Sequence, residues 1–138
     1  MMTTSKQSLA LAFALAASAG AVAATPNALA GVSGGLWELD GLPGTKSSVR
    51  QCFADPARIA LVEHKGAKCT EAVLGEQGST VRVSYQCGAS GFGQGTIKQI
   101  TPRSLRVEVT GIADGAPYSY VLQARRVDDC AKGQERGR

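Results

Sequence analysis

Four cysteines, at positions 52, 69, 87 and 130, are the residues of this chain best equipped for chemistry. Zinc would want close pairs such as C-x2-C, but the spacings are 16, 17 and 42 intervening residues, and the only histidine is His64. A dithiol redox centre would want Cys-x-x-Cys, which is absent. His64 stands at the end of a short helical pattern beside Glu63 and Lys65, with no serine in a G-x-S-x-G elbow, so it reads as an exposed helix-end residue rather than a catalytic base. Glu38 and Asp40 share the wet side of one strand without forming a recognisable acid/base pair.

Two glycine-bearing stretches invite comparison with phosphate loops. "CGASGFGQGT" does not fit G-x-G-x-x-G and leads into no helix, and in "GLPGTKSS" Thr45 separates Gly44 from Lys46, so neither offers the helix N-terminus on which such loops depend. Both read as turns or bulged strand. No catalytic, cofactor-binding or metal-binding residue is expected, and the chain is not read as an enzyme.

The N-terminus explains what the cysteines are for. Lys6 precedes an apolar run beginning at Leu9, and Ala21-Val22-Ala23 or Val22-Ala23-Ala24 supplies a small-residue cleavage site, so residues 1–24 are read as a signal peptide. The run is too short and too rich in alanine to cross a bilayer about 30 Å thick, so no transmembrane anchor is expected after cleavage. In an exported chain four cysteines are disulfides by default. Three pairings are open to them. A hairpin centred on Gly78 sets Cys69 opposite Cys87 and Val73 opposite Val83, which leaves Cys52 for Cys130.

Cleavage would leave 114 of 138 residues, enough for one domain. It removes one of 15 basic residues and none of 11 acidic ones, so the mature net charge is 14 − 11 = +3. The positive charges are scattered and no aromatic residues interleave with them, which argues against nucleic-acid binding.

Residues 25–34, "TPNALAGVSG", are read as a flexible leader, 35–130 as a single disulfide-stapled β domain, and 131–138 as a disordered polar tail. "GGLWELDGL" alternates as a first strand, and a second follows from Ser48 to Phe53. In "DPARIALVEHKG", Asp55 is an N-cap and Pro56 a first helical residue, giving one helix of two to three turns that must dock to be stable. Val81 to Cys87, Leu105 to Val109 and Tyr118 to Ala124 alternate with period two. Setting Val109 opposite Tyr120, Val107 opposite Leu122 and Leu105 opposite Ala124 makes their apolar faces coincide. The expected fold is mainly β (α+β): a curled antiparallel meander or incomplete barrel of six to seven strands, with one short helix and two disulfides.

The order of the signal peptide, "GLWE", "QCF" before a helix, "KCT", "YQC" and a terminal "RRVDDC" resembles a bacterial exported family catalogued as domain of unknown function 3617. The likeness spans Gly35 to Cys130. It implies a small periplasmic protein of Gram-negative bacteria and carries over no catalytic residue. The function expected is a non-enzymatic binding or interaction module. The alternatives are a lipocalin-like carrier, with an apolar ligand in a groove lined by Trp37, Val83, Tyr118 and Tyr120, and an envelope enzyme or inhibitor whose site is unrecognised. The partner is therefore expected to be an envelope protein or a small apolar ligand.

Overall fold

The computed structural model describes residues 25–133; the expected signal peptide and the last five residues of the tail lie outside them. Seven strands form one antiparallel sheet that does not close: β1 (Gly35–Asp40), β2 (Val49–Phe53), β3 (Thr70–Gln77), β4 (Thr80–Gln86), β5 (Gly91–Thr101), β6 (Ser104–Ala113) and β7 (Ala116–Asp128). Their spatial order is β2-β1-β7-β6-β5-β4-β3. β3 to β7 are a meander, and β1 returns to pair with β7.

The turns follow from their residues. Gln77 pairs with Thr80 across Gly78-Ser79, with Gly78 at φ +57°. Ala113 pairs with Ala116 across Asp114-Gly115, both at positive φ, which is the backbone that two-residue hairpins need and that Asp-Gly supplies. Val109 lies opposite Tyr120, Val107 opposite Leu122 and Leu105 opposite Ala124, as the apolar pattern requires. Val73 lies opposite Val83, and a bulge at Leu74 shifts the remainder of that hairpin by one residue. The disulfides are Cys69–Cys87 and Cys52–Cys130, with Cα atoms 4.1 and 5.6 Å apart.

One face of the sheet is covered by the chain's own connection from β2 to β3. Asp55 caps this segment by accepting a hydrogen bond from the Ala57 N–H at 2.9 Å, and Pro56 takes the first helical position. Pro56–His64 is a 3-10 rather than an α-helical segment, broken at Leu61. Such helices persist only in short runs, and the break divides this one into two. Ile59, Ala60 and Leu61 are buried against the sheet. Ala60 explains a glycine: a Cβ on Gly95 would lie 2.6 Å from the Ala60 Cβ. "GFGQGT" is therefore the middle strand of the meander, stripped of side chains where the segment presses on it.

Residues 25–34 are not a loose leader. Asn27–Leu29 form a 3-10 turn, Leu29 is 0% exposed, and Ala28 and Val32 are buried with it. The Ala28 N–H donates to Glu76 Oε1 at 2.8 Å, which ties the segment to β3. Within the small-residue stretch that suggested flexibility, Ala28, Leu29 and Val32 join the core. The folded unit thus begins before Gly35.

Burying Leu29 predicts that Leu29→Ala lowers stability by about 3 kcal/mol, within the range for emptied leucine sites. Urea unfolding of the disulfide-intact protein measures it; a loss below about 0.5 kcal/mol would mean that the segment is undocked.

Candidate functional site

Inward-facing tyrosines need partners for their hydroxyls, because a buried unpaired hydroxyl costs about 1–3 kcal/mol. Tyr85 on β4 and Tyr118 on β7 place their hydroxyls 2.9 Å apart. The Tyr118 hydroxyl is also 3.1 Å from His64 Nε2, and His64 Nδ1 is 3.0 Å from Ser90 Oγ. The Tyr120 hydroxyl donates to Glu63 Oε1 at 2.6 Å. The end of the covering segment is thus bonded to two residues of β7 and to the turn that precedes β5.

The hydrogens can all run one way. Tyr85 donates to Tyr118, Tyr118 to His64 Nε2, and the Nδ1–H of a neutral imidazole to Ser90, so every ring nitrogen and phenol is satisfied. Two glycines make room for this. A Cβ on Gly93 would meet the Tyr118 and Tyr85 hydroxyls at 2.6 and 2.9 Å, and one on Gly111 would meet the Tyr118 hydroxyl at 2.6 Å.

His64 is 3% exposed, so its expected position as an exposed helix-end residue is corrected. Helix position alone overlooked that Tyr85 and Tyr118 face inward on strands already legible as alternating, and both needed a polar partner. Ser90 was also missed; it lies in the 3-10 turn Gly88–Ser90 before β5. A serine on an oriented histidine has the outline of a nucleophile and base. An acyl-transfer site would also want free N–H donors to stabilise an oxyanion. Here the Ser90 N–H is bonded to the Cys87 carbonyl and the Gly91 N–H to the Gly88 carbonyl. The network is built to seat the covering segment.

The four groove residues do face one side, but they do not line an open groove. Trp37 is 0% exposed, Val83 is buried, and Tyr118 and Tyr120 are half-buried with their hydroxyls engaged. The Trp37 indole N–H has no hydrogen-bond partner and lies in the packed core.

The opposite face is divided. Toward β1 and β2, Glu38 lies between Arg50 at 3.0 Å and Arg125 at 2.8 Å, and their hydrogen bonds hold its carboxyl below the usual carboxylate range. Toward β3 the register produces two adjoining rows with no charge. One is Ala72, Ser84, Gln94, Thr110 and Ser119; the other is Thr70, Gln86, Phe92, Ile112 and Pro117. Five strands at about 4.8 Å spacing make this strip about 20 Å wide. A shallow cavity of about 500 Å³ lies over Ser84, Gln86, Phe92, Gln94, Thr110 and Ile112. A second, of about 440 Å³, adjoins it and shares Gln94 and Thr110.

Among the described residues, no three or more His, Cys, Asp or Glu side chains are grouped to hold a metal ion, and no helix is long and apolar enough to cross a membrane. Comparison with known proteins finds no matching family model, curated protein or solved structure.

Burial raises the pKa of Tyr85, Tyr118 and Tyr120, which are all the tyrosines of the chain. Donation to Tyr118 raises Tyr85 further, and the Glu63 carboxylate does the same for Tyr120. The folded chain therefore keeps phenolic protons that the unfolded chain loses near pH 10, so this contribution to stability is complete below about pH 10 and is lost as pH rises through the folded values. In an alkaline titration, tyrosinate absorbance should rise only together with loss of the β-sheet circular dichroism signal. A full rise near pH 10 with the sheet intact would contradict the network.

Proposed function

We propose that the chain is a periplasmic, non-enzymatic interaction module of the exported bacterial family that its motif order resembles, and that it engages its partner through the uncharged outer strip of the sheet. One observation carries this reading: the inner face is filled by the chain itself, whereas the outer face keeps an uncharged strip with two shallow depressions along it. Two disulfides and the N-terminal signal pattern support export, since such bridges persist in oxidising compartments.

A solubilising face would carry mixed charge, as the β1–β2 end does. The strip instead offers hydroxyls and amides, those on β4, β5 and β6 standing on strands with neighbours on both sides, with Phe92 54% exposed among them. Adaptable polar groups beside an aromatic anchor are the composition of recognition surfaces. The carrier alternative needs an open groove at Trp37, Val83, Tyr118 and Tyr120, where side chains are packed. The enzyme alternative has the Ser90–His64 pair, but the N–H groups of Ser90 and Gly91 are already bonded to carbonyls.

Photocrosslinking in cells expressing the full chain tests the surface. Benzoylphenylalanine installed at position 94 or at position 110 should yield adducts well above those from exposed position 65 on the covering segment. Equal or absent adducts at all three positions would overturn the strip as a protein-binding surface.

A further inference from the structure

We propose that the outer strip is a binding site for a neutral polyhydroxylated ligand, a saccharide chain, with Phe92 as its stacking platform. The inference rests on the reading of that strip as the recognition surface and names the chemistry it recognises.

Three features of the strip select the ligand. The first is the absence of charge. Neither row contains an acidic or basic residue, and Arg82 and Glu108, which border the strip on either side of Thr96, are of opposite sign. A ligand of either net charge would therefore meet like charge as well as counter-charge at that border, and no counter-charge over the rows themselves. The second is unused hydrogen-bonding capacity: the side chains of Ser84, Gln86, Gln94, Thr110 and Ser119 make no hydrogen bond within the described protein. Two carboxamides and three hydroxyls each both donate and accept, which is the pattern a row of sugar hydroxyls presents in return. An apolar ligand would strip water from these groups without replacing it.

The third feature is Phe92. It is 54% exposed, lies directly opposite Gln86 and Ile112, and lines the 500 Å³ cavity. An aromatic face carries partial negative charge, and the ring C–H groups of a pyranose are weakly positive, so the two stack while the sugar's hydroxyls stay in plane for Gln94 and Thr110. Phe92 stands second in β5, at the end of the sheet, where its ring face is open to a ligand lying along the rows. The two adjoining cavities share Gln94 and Thr110, and the second reaches the opposed charges of Arg82 and Glu108, so the strip has length for more than one linked ring. A peptide added as a strand would use the edge of the sheet rather than this face.

The test is NMR amide-shift mapping on the disulfide-intact protein titrated with maltotriose, cellotriose and chitotriose, with laurate as the apolar comparator. At least one trisaccharide should give saturable shifts confined to the amides of the two rows, Gln94 and Thr110 among them. Phe92→Ala should weaken that binding about tenfold, and Gln94→Ala by a similar factor, while both leave the unfolding midpoint unchanged because neither side chain is buried. Lys65→Ala should leave binding unchanged. The proposal is overturned if no trisaccharide gives saturable shifts at high millimolar concentration, if laurate alone shifts the strip, or if Phe92→Ala binds as the parent does. Protein adducts from positions 94 and 110 without trisaccharide shifts would overturn the saccharide but leave the strip as a protein-binding surface. Failure of both experiments would remove the surface itself.

Discussion

An open antiparallel sheet with one apolar face is unstable until that face is covered, and here the cover is a segment too short to be helical alone. Pro56–His64 must therefore be held from outside, and much of the chain serves that need. Gly95 gives up its side chain so that Ala60 can approach β5. The disulfides bracket the segment: Cys52, four residues before it, is tied to Cys130 beyond β7, and Cys69, five residues after it, is tied to Cys87 at the end of β4. In the chain-entropy picture, closing loops of these sizes contributes about 4.5 and about 3 kcal/mol respectively. These bridges restrain both ends of the one element that the sheet cannot do without.

The polar network completes the seat from within. A buried histidine is costly unless both ring nitrogens are paired, and Tyr118 and Ser90 provide both partners from different strand ends. The Tyr118 hydroxyl in turn finds its acceptor only when the histidine is in place. The network therefore favours one position of the segment over any slipped one, which an apolar contact between Ile59 and the sheet could not do. Gly93 and Gly111 are the glycines that allow it, so the glycine-rich stretch beginning at Cys87 is explained by close packing on the inner face.

Much of this was legible in the sequence because it depends on local period and pairing. Alternation at Val81–Cys87 and Tyr118–Ala124 fixes which residues face inward, and matched apolar faces give the register of β6 with β7. The symmetry of the β3–β4 hairpin gives Cys69 with Cys87 and leaves Cys52 for Cys130, as the structure has them. What was not legible is set by contacts distant in sequence. His64 meets Tyr118 across 54 positions, and Ala28 meets Glu76 across 48. Leu29 and Val32 were a faint signal, two apolar residues three apart among small ones. Their burial depends on a sheet that forms far downstream. The same holds for the outer strip, whose uncharged rows appear only when five strands are set in register.

Two routes to a partner remain once the inner face is closed, the sheet edges and the outer face. The β3 edge is poorly suited to accept another strand. Its bulge at Leu74 breaks the repeat of its hydrogen-bonding groups, and Gly75 follows directly. Glu71 pairs with Arg58 at 3.3 Å and Glu76 with the Ala28 N–H, so two of its side chains are committed to holding the cover. β2 at the other edge has only five residues, and Cys52 on it is fixed to the chain end. The strands β4 to β6, by contrast, have neighbours on both sides along the strip, so their outward side chains stand on a fixed lattice. Rigid spacing of this kind lowers the ordering cost of recognition, and it is found in this fold where the surface carries no charge.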